Sequence, residues 1–254
     1  MKILLPPSET KRPGGSRRPA ALETWALPGL RPERERAIDA LIALAGDEDA
    51  AARVLKLSDR QRGEIVHNAE LRTAPTMPAV DRYTGVLYDA LDAPSLSAAA
   101  RRWLGTHVWI HSAPFGPVGA LDRIPSYRLG AAVAVPGLPP LRRLWADAVS
   151  AAMREAAPSF VLDLRSEAYV SLGPIPAEVP SVYVRVVTDT GRALNHFNKH
   201  AKGDLVRTLA EGRPRATTRR GLLSWAGSAG IDLRETEDPS VIELVIAQAS
   251  TPPA

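Results

Sequence analysis

The sequence predicts an α+β fold in a single domain spanning residues 1–254. Segments that read as strands and as helices are mixed without a regular β-α-β alternation, which argues against a strictly alternating parallel architecture. No internal repeat and no linker rich in Pro, Gly or Ser divides the 254 residues. The chain is 45% hydrophobic and 24% charged, the composition of a folded protein, and its length is ample for a buried core.

Lys2–Leu5 (KILL) reads as a short buried strand, and the loop over residues 6–20 is too rich in Pro, Gly and Ser for regular structure. Pro32 suits a first helical turn, with Ile38, Leu41, Ile42 and Ala45 following at helical spacing. Ser58 is placed to cap a helix to about Leu71, and Ala79–Leu91 carries the string RYTGVLYDAL. Ser95 is placed to cap a helix to Leu104 that Gly105 ends, after which His107–His111 (HVWIH) reads as a strand. Residues 113–129 (APFGPVGALDRIPSYRL) mix Gly and Pro with apolar side chains, which predicts ordered turns and short helical pieces. Pro139–Ala157 predicts an amphipathic helix with Leu141, Leu144, Trp145 and Ala148 inward. Ser159–Leu164 predicts a buried strand ending at RSEAY, and Val182–Thr188 another that turns at Asp189–Gly191. Helices are expected over about Asn198–Glu211 and from a Thr217 cap to Trp225. Ile231–Thr236 and Val241–Ala247 read as a hairpin around Asp238–Pro239, and residues 248–254 as a frayed tail.

Lys and Arg number 32 against 28 Asp and Glu, a formal net charge of +4. The surplus is local: between Gly191 and Arg220 eight basic residues face two acidic ones, while the hairpin that follows is acidic. Such polarity suits contact with phosphate. Only five of the basic residues are Lys (Lys2, Lys11, Lys56, Lys199 and Lys202), so positions that keep an ammonium stand out. The absence of cysteine excludes disulfides, iron–sulfur and zinc-thiolate sites and a thiol nucleophile. Chemistry must come from oxygen and nitrogen groups, and no cofactor or metal is called for. No dinucleotide fingerprint, phosphate-binding P-loop, HExxH or GxSxG sequence occurs. MKILL is too short for a signal-peptide core and no run approaches a membrane span, so a soluble cytoplasmic protein is expected.

Four segments carry candidate chemistry. In LNHFNKHAKGD (Leu194–Asp204), Lys199 and Lys202 lie three apart and so share a helix face, an arrangement that a common anion explains and that a solvated charge run also explains. His196 and His200 stand four apart beside them, where contact with an anion or proton transfer is the better reading than metal binding. His107 and His111 have the same spacing and read as packed histidines of a strand. DLRSEAY (Asp163–Tyr169) sits where a strand ends; Ser166 and Glu167 either cap the next helix or line a pocket with Tyr169, with Glu167 as general base. RYTG (Arg82–Gly85) and SYRL (Ser126–Leu129) place Tyr83 and Tyr127 beside Arg82 and Arg128, for stacking, phosphate clamping or a structural corner. GPVG (Gly116–Gly119) has the pattern of a helix-hairpin-helix turn whose amides grip a DNA phosphate, and Lys11 on the first loop can reach the same cleft.

In order, ILLPPSETK, RYTGVLYDAL, DRIPSYRL, LWADAV, DLRSEAY and NHFNKHAKG resemble the YaaA family of bacterial peroxide-stress proteins over nearly the whole chain. The resemblance implies a single α+β domain with a positively charged cleft, binding of duplex DNA, and a part in limiting free iron and DNA damage under peroxide. The region around Gly116–Gly119 departs from the family pattern, lacking its Arg-Pro and carrying Pro114 and Pro117. Two functional expectations follow. The first is a DNA-binding stress protein whose cleft carries Lys11, Arg82, Tyr83, Tyr127, Arg128, Arg165, Ser166, Tyr169, Asn198, Lys199, Lys202 and Gly203. The second is an enzyme acting on a nucleotide or nucleobase-like small molecule in the same cleft, with Glu167 or His196 as acid/base and Lys199 beside them. No membrane partner is expected.

Overall fold

The computed structural model describes residues 1–189 and 197–246. His196 and the tail at 248–254 lie outside the described residues, as do most of the turn expected at Asp189–Gly191 and the end of the last strand at Ala247.

Among the described residues the chain forms β1 (Lys2–Leu5), then α1 (Arg31–Ala45), α2 (Glu48–Leu55) and α3 (Ile65–Ala69). Next come β2 (Met77–Pro78), α4 (Ala79–Arg82), α5 (Val86–Leu91), α6 (Ala98–His107), β3 (Val108–Ser112), β4 (Gly116–Gly119) and β5 (Arg123–Ile124). The second half holds α7 (Leu141–Ala156), β6 (Val161–Asp163), α8 (Glu167–Leu172), β7 (Ser181–Thr188), α9 (Phe197–Gly212), α10 (Arg219–Ser228), β8 (Leu233–Glu235) and β9 (Val241–Ile246). This is an α+β architecture. Seven strands form a mixed sheet in the order β4-β3-β1-β6-β7-β9-β8, and β2 pairs with β5 apart from it.

The five inner strands run parallel, and β4 and β8 close the two edges antiparallel. Inner parallel strands are covered on both faces, so they read as unbroken apolar runs rather than alternating ones. Ile3, Leu4 and Leu5 of β1 and Val161 and Leu162 of β6 have no exposed surface at all. The chain leaves β1 toward β3 on one side, and leaves β6 toward β7 on the other. Connections that diverge from neighbouring parallel strands leave a crevice at the strands' carboxyl ends. The divergence falls between β1 and β6, whose register pairs Leu4 with Asp163.

Several boundaries differ from the sequence reading. Ser97, not Ser95, caps α6: its hydroxyl accepts from Ala100 N at 3.2 Å, whereas the Ser95 hydroxyl donates to Asp92 O. Gly105 does not end that helix but lies within it, where a β-carbon would meet the Leu121 side chain at 2.6 Å. His107 is therefore the last helical residue and only His111 stands on the strand. Thr218, not Thr217, caps α10, accepting from Gly221 N. Ser58 opens a tight 3-10 turn over Asp59–Glu64 with a reciprocal Gln61 bond, so the helix that follows shrinks to Ile65–Ala69. Gly116–Gly119 is the edge strand β4, paired with Trp109–Ser112 and wholly buried. Its amides face the ladder and the core, so the helix-hairpin-helix reading of GPVG is corrected: a hairpin that grips phosphate must be exposed.

Gly203 is a packing residue on α9. A β-carbon built there runs into the carbonyl oxygen of Leu87 and comes within 2.8 Å of the Ala90 Cβ on α5. A backbone carbonyl cannot swing aside as a side chain does. Gly203→Ala is expected to cost about 2–3 kcal/mol through forced separation of the two helices, read as a lower urea midpoint. An unchanged midpoint would show that the helices are free to part.

Candidate functional site

Pro6 and Pro7 stop β1, and the chain then turns through Ser8, Glu9 and Thr10 to Lys11. The Tyr88 hydroxyl donates to Pro6 O at 2.7 Å, and Lys11 forms a β-bridge with Tyr83, so both ends of this loop are fixed. The Lys11 ammonium donates to the carbonyls of Ser8 (3.1 Å) and Glu9 (3.2 Å). It sits 4.0 Å from the centre of the Tyr127 ring and 5.7 Å from that of Tyr83. The hydroxyls of these two tyrosines are 2.8 Å apart, and both rings are buried. Loss of water lowers the Lys11 pKa to about 7; the neighbouring Arg128 charge pushes it the same way, and Glu64 and Glu9 only partly oppose them.

At the end of β6, Asp163 and Arg165 form a buried bidentate pair at 2.9 and 2.7 Å. The rest of the guanidinium donates to Gly173 O (2.8 Å), Tyr169 O (3.3 Å) and Nδ1 of His111 (2.9 Å). His111 thus accepts through Nδ1 and carries its proton on Nε2. Burial and then the Arg165 charge hold its pKa well below 6.5, so it stays neutral. Ser166 and Glu167 begin α8 and are exposed, and the Ser166 hydroxyl makes no capping bond. Tyr169 lies half-buried with its ring 5.8 Å from that of His111, and burial together with the Glu9 charge raises its phenol.

The first turns of α9 come in beside β7. Lys202 is only 4% exposed, with Nζ 5.2 Å from the Tyr183 ring. Burial lowers its pKa to about 8, and the Asp163 carboxylate restrains the fall. Asn198 is half-buried, its Oδ1 enclosed without a hydrogen-bond partner, while Lys199 is exposed.

The predicted residues therefore divide. Lys11, Tyr83, Tyr127, Arg128 and Tyr169 gather around the loop after β1, and Lys202 gathers with Asp163 at the end of β6, beside Tyr183 near the start of β7. Arg82 is fully buried with its guanidinium on the carbonyls of Arg12, Pro75 and Ile124, which makes it a strut for the same loop. Arg165 is likewise internal. Arg128 is within 4.0 Å of Glu9 and 3.5 Å of Glu64, so its charge is partly balanced. Sequence reasoning missed Asp163 and Tyr183; His111 is packed on its strand as expected, and its bond from Arg165 is what the sequence did not show. The D-L-R spacing was the available signal for Asp163, since a carboxylate closing an apolar strand needs a cation close by. A cavity of about 340 Å³ lies beside α9, lined by His200, Asp204, Leu205, Ile231 and Leu244 among others, and neither Lys11 nor Lys202 lines it. Among the described residues no group of three His, Asp or Glu is placed to hold a metal ion.

Fold and site together define an α+β protein whose mixed sheet carries two desolvated lysines, one in the loop after β1 and one beside the end of β6. Residues 1–226 match the family described as peroxide stress protein YaaA, and the chain belongs to that family. It is 43% identical over 242 residues to a UPF0246 protein of Corynebacterium efficiens, covering 93% of this chain and 96% of that one. A UPF0246 protein of Streptomyces coelicolor is 44% identical over 214 residues, 82% of each chain. An uncharacterized protein of Campylobacter jejuni is 25% identical over 215 residues, 83% of this chain and 85% of its own.

Proposed function

We propose that the crevice binds and transforms a small anionic, nucleotide- or nucleobase-like molecule, and that this enzymatic step is the chain's part in resisting peroxide. The observation that carries the reading is the desolvation of Lys11 and Lys202, drawn from opposite ends of the chain to the carboxyl ends of one sheet, to pKa values of about 7 and about 8. Stripping water from an ammonium is costly and adds nothing to a surface that merely attracts phosphate. A duplex cannot reach a lysine that is 4% exposed. In this reading Lys202, Lys199 and Asn198 hold the anion at the start of α9, and exposed Glu167 at the mouth serves as acid/base. His196, the other acid/base candidate, lies outside the described residues.

A second reading, binding of duplex DNA with a consequent limit on free iron and DNA damage, is favoured by the exposed Arg12, Arg17 and Arg18 of the loop that carries Lys11 and by exposed Lys199 on α9. Among the described residues no helix is long and apolar enough to cross a membrane, and both readings suit a cytoplasmic protein.

Lys202→Met separates them. Calorimetry with adenosine monophosphate should show at least a tenfold loss of affinity, as expected for a lost charge-assisted contact of about 1.5–3 kcal/mol. Duplex affinity and its salt dependence should not change. If no nucleotide binds, and the salt slope of duplex binding falls by about 0.9 on losing this one lysine, the DNA reading replaces it.

A further inference from the structure

The geometry around Lys11 points to a nucleophilic amine: we infer that its Nζ attacks the carbonyl carbon of a small aldehyde or keto acid in the crevice and forms an imine. Four observations carry this. No carboxylate among the described residues comes within 4 Å of the Lys11 ammonium; its only hydrogen bonds go to two carbonyls of its own loop. An ammonium kept for charge is normally paired with a carboxylate or left in water. Two aromatic rings, at 4.0 and 5.7 Å, hold the nitrogen in place and keep water from it; their faces attract the ammonium, and the loss of water outweighs that attraction. Arg128, a second cation, stands next to it, and a neighbouring cation or apolar pocket is how an amine is made nucleophilic near neutral pH. The bridge to Tyr83 and the Tyr88 bond to Pro6 fix the backbone on both sides, yet the side chain is only partly buried, so a small molecule can reach it.

The step balances without a further reactant. The Nζ lone pair forms a bond to carbon as the carbonyl π pair moves to oxygen, and a proton passes from nitrogen to that oxygen to give a carbinolamine. The nitrogen lone pair then forms the C=N bond as the hydroxyl takes up a proton and leaves as water. The net change is amine plus carbonyl to imine plus water. Water at the partly exposed lysine supplies the proton for that departure, while the paired hydroxyls of Tyr83 and Tyr127, 2.8 Å apart, lock the two rings against each other.

The inference rests on the crevice being a ligand site, and its test needs no knowledge of the natural substrate. The probe is glyoxylate with cyanoborohydride, which reduces an imine and leaves a carboxymethyl group on the lysine that formed it. Five lysines make assignment by peptide mass spectrometry direct, and the α-amine of Met1 serves as internal control. Intact protein at pH 7 should be modified at Lys11 at least tenfold faster than at Lys56 or Lys199, because an ordinary lysine is neutral in only about one molecule in 2,500 at that pH. The Lys11 rate should level off above pH 8 while the others keep rising. Lys11→Arg, which keeps the cation, should remove the fast modification and leave the slow ones. Modification spread evenly over the lysines, or a Lys11 rate still climbing past pH 9, would overturn the inference. Nucleotide binding lost in Lys202→Met but no fast adduct at Lys11 would sink this step alone and leave the small-molecule reading standing.

Discussion

Replacing Arg165 by Met is expected to cost about 3–5 kcal/mol of folding stability, the range for removing one partner of a buried ion pair. The side chain has no exposed surface and donates to five acceptors: both oxygens of Asp163, the carbonyls of Tyr169 and Gly173, and Nδ1 of His111. Met fills similar volume but makes none of these bonds. The Asp163 carboxylate, 3% exposed, would keep only the Arg165 amide (3.0 Å) and the field of Lys202. Most of the cost is that stranded charge, so Asp163→Leu combined with Arg165→Met should recover part of the loss. Urea unfolding of the single and double variants checks this. A double variant less stable than Arg165→Met would show that the pair itself, and not the orphaned carboxylate, dominates. The pair also links fold and site, because Asp163 faces Arg165 on one side and sustains the charge on Lys202 on the other.

How far the sequence foretells this arrangement depends on which property is asked of it. The runs ILL and FVLDL announced β1 and β6, because strands buried on both faces must be apolar throughout. The amphipathic spacing of Leu141, Leu144 and Trp145 announced α7 for a similar reason, and all three are buried. What did not show was the partner of each polar group. Arg82 and Arg165 stand in strings with Tyr, Ser and Glu that look made for a ligand, and both guanidinium groups instead turn inward, Arg82 to backbone carbonyls and Arg165 to Asp163, His111 and two carbonyls. Only the tertiary contact distinguishes these uses, since a guanidinium offers the same five donors to either. Gly116–Gly119 shows the same limit: two glycines three apart suit a phosphate-gripping turn and an edge strand equally, and the Trp145 ring lying 3.0 Å from where a Gly116 side chain would begin selects the strand. The scarce lysines were the more informative signal. In a chain that uses Arg both for surface charge and inside the molecule, Lys11 and Lys202 are kept where a desolvated cation must be able to give up its proton, which a guanidinium does not do near neutral pH.

The second large effect expected is on stability against pH. Lys11 and Lys202 titrate at about 7 and about 8 in the folded protein, against about 10.4 for a lysine in the unfolded chain. Below pH 7 both are charged in both states, and folding bears the full cost of their desolvation. As pH rises through 7 and then 8 the folded state gives up two protons that the unfolded chain still holds, so stability increases with pH. The ceiling for two such protons is about 2.7 kcal/mol per pH unit, at 1.36 per proton, and the partial exposure of Lys11 keeps the slope below it. The rise must end near pH 10. There the unfolded chain's tyrosines ionise while burial still holds Tyr83, Tyr88 and Tyr127 protonated, a difference of opposite sign. The protein is therefore expected to be more stable at pH 9 than at pH 7, unlike most proteins, whose optimum lies between about 5 and 8. Urea midpoints at pH 7, 8 and 9 and constant ionic strength measure the slope. Lys11→Met and Lys202→Met should each remove part of it, and the double variant nearly all, because Met keeps the apolar stem and carries no proton. A midpoint that is flat or falls from pH 7 to pH 9 in the unmodified protein would mean that neither lysine is desolvated, and the case for a reactive amine at the mouth of β1 would fall with it.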